Sequence, residues 1–185
     1  MTAQTLLWRR VDLPGHEATR LAVNENGWQL SGAAVFAYEQ QPCCLNYQIQ
    51  CSEDWRTQAV NVTGWVGAKV IAYTITVDAQ QQWWMNGVEQ PAVTGCLDID
   101  LNFSPSTNLL PIRRLNLLIG QAEPVKAAWL RFPSFSLKPL DQIYQRTAAL
   151  DYRYESADGS FVAELIVNRA GFVIDYPGLW QAETK

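Results

Sequence analysis

The chain has 185 residues, of which 48% are hydrophobic and 17% are charged, enough material for one domain or two small ones. Its net charge of −4 argues against a general nucleic-acid-binding protein, which needs an excess of basic residues, and against electrostatic attachment to anionic lipid. No stretch approaches the roughly 20 apolar residues that cross a bilayer, and the N-terminal residues lack the apolar region of a signal peptide. We therefore expect a cytoplasmic protein without an integral membrane segment.

The cysteines and the single histidine do not indicate a metal site. Cys43, Cys44, Cys51 and Cys96 contain no Cys-x-x-Cys pair, and adjacent cysteines do not easily serve one tetrahedral centre. We expect free, buried thiols in a reducing cytoplasm, and no metal or other cofactor.

The first half of the chain predicts a series of antiparallel strands separated by turns. Residues 24–27 (Asn-Glu-Asn-Gly) and the pair Asn86-Gly87 are hairpin signals. Gly32 lies inside one predicted strand and indicates a bulge or a bend, whereas His16 follows Pro-Gly and is expected on a loop. The predicted strands are 6–13, 20–23, 28–39, 45–51, 55–62, 69–77 and 81–85.

Residues 95–115 (GCLDIDLNFSPSTNLLPIRRL) contain the most concentrated group of charges in the chain. Apolar and polar residues alternate between 97 and 103, as expected of a strand, so one face carries the carboxylates of Asp98 and Asp100. Asp is a poor strand former, and two of them on one face therefore need a reason.

A turn and a short helix are predicted after this strand. Residues 104–108 are five consecutive turn formers. The spacing of apolar residues then predicts a helix over 109–119, with Pro111 in its first turn and Gly120 as its end.

The remaining sequence predicts further strands and one ambiguous segment. Residues 140–154 fit helical spacing in their first part and strand alternation in their second, so their structure is left open. The predicted strands are 125–132, 161–167 and 172–176. The total of about eleven to thirteen short strands predicts one mainly β domain over residues 1–185. We expect a large curved antiparallel sheet, an open or half β-barrel, with one or two short helices and a hollow for a ligand.

The charges in residues 95–115 have two interpretations. In the first, Asp98 and Asp100 accept sugar hydroxyls, and Arg113 or Arg114 binds an acidic head group, because guanidinium forks bind carboxylate and phosphate. In the second, the same four residues form a structural ion-pair network that fixes the turn.

An enzyme is the alternative to a binding protein. Asp98 and Asp100 have a spacing that two glycosidase carboxyls can adopt, but two nearby arginines are expected to keep both ionised, and a general acid needs a raised pKa. His16 is the only imidazole available for a Ser-His or Cys-His pair. A hydrolase that uses Asp98, Asp100 or His16 therefore remains open, although we assign no catalytic residue.

The aromatic content is high, with eight Trp, seven Tyr and six Phe. Aromatic rings pack cores, and they also line sugar and lipid sites because they combine a flat apolar face with a polar tip. Trp83 and Trp84 are neighbours in a predicted strand and so point to opposite faces. We take Trp84 and Tyr144 as candidate ligand contacts.

Residues 95–115 resemble the motif of the putative glycolipid-binding family of bacterial proteins. The similarity continues over much of the chain, at Trp8-Arg9, Tyr47 with Cys51, Trp83-Trp84, 129–133, 142–144 and 171–180. The resemblance implies an open half-barrel sheet like that of bacterial lipoprotein-carrier proteins, wrapped on helix, and a function in glycolipid binding, metabolism or transport. It places six residues at motif positions: Asp98, Asp100, Thr107, Asn108, Arg113 and Arg114.

Together these observations predict a protein that binds an amphiphile, a glycolipid, in the hollow of its sheet, with acyl chains on the apolar strand faces. A hydrolase acting on a glycan or lipid is the first alternative. A structural or interaction protein with a filled core and no ligand is the second. The oligomeric state is left open.

Overall fold

The computed structural model describes residues 3–184, which form one sheet of fifteen strands and a single short α-helix. The strands of the first half are β1 Gln4–Arg10, β2 Gly15–Asn24, β3 Gly27–Tyr38, β4 Gln41–Cys51, β5 Thr57–Val66, β6 Lys69–Val77, β7 Trp83–Met85 and β8 Val88–Glu89. The helix α1 is Leu109–Leu115. The strands of the second half are β9 Asp98–Leu101, β10 Ala122–Arg131, β11 Ser136–Arg146, β12 Asp151–Ser156, β13 Phe161–Val167, β14 Val173–Tyr176 and β15 Trp180–Ala182.

The sheet consists of two wings that meet at β1 and β15. The first wing contains β1 to β8 and the second wing contains β9 to β15. Its strand order is β8 to β1 followed by β15 down to β9, so the chain runs from the centre to one edge, crosses to the other edge and returns to the centre. All neighbours are antiparallel except β9 and β10. The predicted fold class, mainly β with a large antiparallel-dominant open sheet, is confirmed. No helix among residues 3–184 is long and apolar enough to cross a bilayer.

The two wings curl towards each other. The N–H of Thr57 in β5 donates to the carbonyl of Leu97 at 2.9 Å, which connects one wing to the start of β9 in the other. Phe135, between β10 and β11, stacks on Tyr73 of β6 with ring centroids 5.4 Å apart. Since aromatic contacts of this kind bury large apolar areas, they hold the wings face to face around one continuous core.

Residues 103–115, which we call the inner segment, lie in the hollow of the sheet. Every residue from Phe103 to Ile112 is buried. The segment begins with a 3₁₀ turn, Pro105–Asn108, in which the Ser104 hydroxyl accepts the N–H of Ser106 at 3.1 Å, and Pro105 occupies a first position that needs no donor. The hollow predicted to hold acyl chains is therefore already occupied by the chain itself.

Three local predictions differ from the structure, and one segment that the sequence left open is now assigned. The strand register passes through Gly32 without a bulge; glycine is required there because an added Cβ would lie 2.4 Å from the Tyr47 hydroxyl. The helix ends at Leu115 rather than at Gly120, since Asn116 adopts a left-handed conformation with φ of 45°. His16 lies in β2 and not on a loop. The ambiguous residues 140–154 contribute to the two strands β11 and β12.

Candidate functional site

A cavity of about 300 Å³ lies between the inner segment and the second wing of the sheet. One part of its wall is polar and is formed by Asp100, Asn102, Ser104, Asn108 and Ser156. The other part is apolar or aromatic and is formed by Leu101, Pro105, Trp129, Leu140, Tyr154, Ala157, Phe161, Tyr176, Leu179 and Trp180. A few polar groups in a mainly apolar wall are typical of small-molecule sites.

Among residues 3–184, Asp100 is the single carboxylate that lines this cavity. It projects from β9 on the same face as its register partner Trp129 in β10. Its Oδ2 accepts a hydrogen bond from Gln142 Nε2 at 2.8 Å, and Gln142 also donates to the Tyr154 hydroxyl at 2.9 Å. Burial raises the pKa of Asp100 to about 6, although the Gln142 hydrogen bond opposes that shift.

Asn108 and Tyr144 form the floor behind the cavity. The Tyr144 hydroxyl donates to Asn108 Oδ1 at 2.8 Å, and Asn108 Nδ2 donates to the carbonyl of Pro105 at 3.1 Å. Tyr144 is fully buried, and its ring packs on that of Tyr154 with centroids 5.0 Å apart. Asn108 therefore reaches the cavity, whereas Tyr144 positions it from behind.

Asp98 and Arg114 form a buried ion pair beside α1. Arg114 Nε and Nη2 donate to the two carboxylate oxygens of Asp98 at 3.1 and 2.6 Å. Burial raises the pKa of Asp98, and the ion pair with Arg114 opposes that shift. Neither residue lines the cavity, so this pair matches the structural interpretation of the charge cluster.

The remaining candidates lie elsewhere. Arg113 is exposed and belongs to a different pocket, where its guanidinium lies 5.1 Å from the centre of the Trp55 ring. Thr107 is buried, and its hydroxyl accepts the N–H of Leu101 at 3.3 Å. Trp84 is half-buried on β7 and lines neither pocket. Among the eight predicted ligand contacts, the structure thus brings Asp100 and Asn108 together at the cavity.

The expectation that the two nearby arginines hold both aspartates is wrong for Asp100, to which neither arginine bonds among the described residues. The two aspartates share one face of β9, but Arg114 bonds to Asp98, while the hydrogen bond to Asp100 comes from the neutral side chain of Gln142. The sequence did not indicate that the two aspartates have different partners. The partner of each depends on which element packs against that end of β9, α1 beside Asp98 and β11 beside Asp100.

Glu17 is a buried carboxyl that the sequence did not single out. It is 1% exposed in β2, and its Oε1 accepts hydrogen bonds from the hydroxyls of Tyr47 and Ser104, both at 2.6 Å. Its Oε2 has no partner within residues 3–184. Burial raises the pKa of Glu17 to about 7. Strand alternation gives a signal that could have found it, because Glu17, Thr19 and Leu21 share one face and Leu21 belongs to the core.

Glu17 lies directly behind the cavity, since Ser104 both donates to it and lines the cavity wall. Ser104 Oγ is also 2.7 Å from Ser106 Oγ, and Tyr47 is within hydrogen-bond distance of Ser106. The carboxyl is therefore part of a network that attaches the inner segment to the first wing. A direct contact between Glu17 and a ligand in the cavity is blocked by Ser104.

His16 is removed from the cavity. It is exposed on β2, and its Nε2 lies 3.3 Å from the carboxylate of Glu183. No serine or cysteine bonds to it among the described residues, so the geometry required for a nucleophile activated by histidine is not formed there.

Two kinds of comparison with known proteins agree with this fold. A model of the family described as putative glycolipid-binding matches residues 5–182. The crystal structure of a DUF1089 family protein from Pseudomonas aeruginosa is similar, with 33% sequence identity and a TM-score of 0.80 over 89% of this chain and 91% of that chain. No curated protein matches the sequence.

Proposed function

The chain belongs to the putative glycolipid-binding family, and from that premise we propose that it binds the sugar ring of a glycolipid in the cavity beside Asp100. The observation that carries the proposal is the combination of one carboxylate with aromatic rings in the same small cavity. Carboxylate oxygens accept sugar hydroxyls, and aromatic faces pack on the apolar faces of sugar rings.

The size of the cavity favours a sugar over a whole lipid. At about 300 Å³ it lies at the lower end of the range of ligand pockets, roughly 300–1,000 Å³. The inner segment fills the apolar hollow that would otherwise accept acyl chains. In this proposal the sugar enters the protein and the acyl chains remain outside, in a membrane or micelle.

The charge of the cavity favours a neutral sugar over an acidic one. Of the residues that the structure describes, its lining includes Asp100 but no lysine or arginine. The oxygen Oδ1 of Asp100 accepts no hydrogen bond from residues 3–184, which leaves it available for a hydroxyl of the ligand. An acidic sugar would bring a second negative charge next to this carboxylate, which is unfavourable in a partly buried site.

We further propose that the protein holds or delivers the glycolipid during its metabolism or transport, rather than cleaving it. A glycosidase uses two carboxyls that flank the scissile bond. Asp100 is alone in the cavity, because Asp98 is paired with Arg114 and Glu17 lies behind Ser104. The four free thiols, at Cys43, Cys44, Cys51 and Cys96, support the cytoplasmic location expected from the sequence.

A titration with a matched lipid pair tests the sugar site. A neutral monoglycosyl lipid in detergent micelles is compared with the same lipid lacking its sugar, with the quenching of tryptophan fluorescence as the readout, since Trp129 and Trp180 line the cavity. We expect binding of the glycosylated lipid alone. Asp100→Asn should weaken it by about tenfold, the effect of losing a hydrogen bond to a charged acceptor.

The control is Glu89→Gln, which removes an exposed carboxylate from β8 at the opposite edge of the sheet. It should bind like the wild type. Equal affinity of wild type and Asp100→Asn would reject the cavity as the sugar site, and binding of the lipid without its sugar would reject the specificity.

A hydrolase acting on the same ligand is the second candidate, because burial raises the pKa of Asp100 to about 6, as a general acid requires. Incubation with the monoglycosyl lipid and analysis for released free sugar distinguishes the two functions. Release that is abolished by Asp100→Asn would establish hydrolysis. An intact ligand recovered from the complex supports binding alone.

A further inference from the structure

We propose that a second pocket, at the other end of the inner segment, binds a phosphate or phosphate-ester anion. This arginine pocket has a volume of about 200 Å³. Its three cationic side chains come from separate elements: Arg113 from α1, Arg146 from the end of β11 and Arg169 from the turn between β13 and β14.

The charges of the arginine pocket are not balanced by the protein. No carboxylate of the described residues lines it. None of the ion pairs within residues 3–184 includes Arg113, Arg146 or Arg169. Three like charges around one small pocket repel one another unless an anion joins them, and the chain as a whole carries a net charge of −4, so this local excess of positive charge is opposite to the overall balance.

Arg146 is held rigidly in the wall of the pocket. Its Nη1 donates to the carbonyl of Leu117 at 2.8 Å and its Nη2 to that of Ala149 at 2.6 Å, while Nε reaches Ala148 at 3.3 Å. Its position is therefore fixed before any ligand arrives, which lowers the entropic cost of binding.

Arg113 and Arg169 retain their donors for a ligand. The side-chain hydrogen bonds within residues 3–184 include neither residue; Arg113 instead packs over the Trp55 ring. Gly171 makes room for Arg113, because an added Cβ would lie 3.1 Å from its Cδ. Asn168 accepts the N–H groups of Ala170 and Phe172 with its Oδ1, so its NH₂ group remains as a further donor in the wall.

This donor set matches a phosphate group. Guanidinium forks bind phosphate oxygens in a bidentate manner, and a phosphate monoester carries a charge of about −1.5 to −2 at neutral pH. A favourable interaction with the C-terminal dipole of α1 accounts for Arg113 alone; it does not account for Arg169, which belongs to a different part of the chain.

The surroundings of the pocket point to a lipid as the source of the phosphate. Leu118 and Ile119 are 67% and 62% exposed, in a turn that is fastened to β11 because the N–H of Gly120 donates to the carbonyl of Arg146 at 2.7 Å. Exposed apolar residues beside a local excess of positive charge suit a surface that meets an anionic bilayer, although the net charge of −4 argues against electrostatic attachment of the protein as a whole.

Two arms of one experiment test the pocket and identify the source. In the first, ³¹P NMR follows inorganic phosphate and glycerol phosphate as protein is added at constant ionic strength. In the second, flotation measures binding to vesicles of phosphatidylcholine with and without phosphatidic acid. We expect binding in at least one arm and a loss of about tenfold or more in the Arg113→Gln/Arg169→Gln variant.

The matched control is Arg20→Gln/Lys69→Gln, which removes two exposed positive charges away from the pocket and should leave binding unchanged. Binding to vesicles alone would assign the site to a lipid phosphate. Binding of inorganic phosphate or glycerol phosphate would show that the site also accepts phosphates that are not part of a lipid. Absence of binding in both arms, or equal losses in the two variants, would overturn the proposal. The result is independent of the sugar site, because none of these four residues lines the cavity beside Asp100.

Discussion

The buried side of the inner segment and the arginine pocket at its end use similar residues in opposite ways. On the buried side, Glu17 and Asp98 are paired with Ser104 and Arg114, so charged groups attach the segment to the sheet. In the arginine pocket, Arg113 and Arg169 form no ion pair and no side-chain hydrogen bond within residues 3–184, and Arg146 bonds only to backbone carbonyls. Of two adjacent residues, Arg114 is paired in the interior and Arg113 lines the arginine pocket. We infer that the buried charged groups stabilise the fold and that the exposed ones bind a ligand.

The separation between the two pockets is also short. Ser156 lines the cavity beside Asp100, and Tyr152 lines the arginine pocket. Both belong to β12, and four residues of a strand span roughly 13 Å. The two proposed binding pockets therefore lie close together in one wing of the sheet, whereas the buried groups connect the inner segment to both wings, through Glu17 in β2 and Asp98 in β9. Substitutions can test this division directly.

The largest effect should come from Arg114→Ala, which leaves Asp98 buried without a partner. Breaking a buried ion pair on one side costs about 3–5 kcal/mol, and urea unfolding measures the loss. Arg113→Ala, one residue away but exposed, should cost less than about 1 kcal/mol. Equal losses of unfolding free energy in the two variants would show that the buried arginine stabilises the fold no more than the exposed one does.

If Arg114→Ala does not fold, the double variant Asp98→Asn/Arg114→Met keeps the prediction testable. It leaves no uncompensated charge in the interior, so it should recover part of the stability lost in the single variant. A double variant no more stable than the single one would mean that the ion pair is not the cause of the loss.

Glu17 should make the protein less stable as the pH rises. Its pKa is raised from 4.5 to about 7 on folding, so the folded state holds the proton more tightly than the unfolded state does. The contribution is complete below pH 4.5 and is lost as the pH rises to about 7, a decrease in unfolding free energy of about 3 kcal/mol.

Glu17→Gln imitates the protonated carboxyl and should flatten this pH dependence, measured by urea unfolding between pH 4.5 and 8. A smaller decrease should remain, since the pKa of Asp100 is also raised, from 3.8 to about 6. The exposed carboxylate variant Glu89→Gln should follow the wild type. A Glu17→Gln profile parallel to that of the wild type would show that Glu17 titrates normally.

The smallest effect is expected from Arg113→Gln/Arg169→Gln in the absence of ligand. Both side chains are exposed and form no ion pair within the described part of the chain, so the unfolding free energy should change by no more than about 0.5 kcal/mol per substitution. Thermal unfolding in a phosphate-free buffer checks this. A large loss of unfolding free energy would show that Arg113 and Arg169 stabilise the fold, against the role in binding that we infer for them.

Strand alternation predicted the fold class because it depends on one local property, the burial of every second side chain. The alternation from Leu45 to Cys51, for example, is present in β4 as predicted. The strand β9 lies within the alternation predicted over 97–103, whereas β15 was missed, because three residues carry little periodic signal. The structure of residues 140–154 stayed ambiguous because the end of β11, a turn and the start of β12 together imitate helical spacing.

The site was harder to predict than the sheet, because it depends on contacts between distant residues. Asp98 and Asp100 have the same local pattern, yet one meets Arg114 and the other Gln142. Glu17 was overlooked because its partner Ser104 is 87 residues away. No local rule connects such positions; the curl of the sheet brings them together.

The pairing of β1 with β15 has a consequence for synthesis of the chain. Trp8 lies opposite Ala182, so a ribosome must add more than 170 residues between these two residues, which takes roughly 9 to 35 seconds at about 5–20 residues per second. During that time one side of β1 presents unpaired backbone groups to other nascent chains. Arg9 and Arg10 in this strand carry positive charge, and we expect this charge to discourage edge-to-edge association until the partner strand emerges.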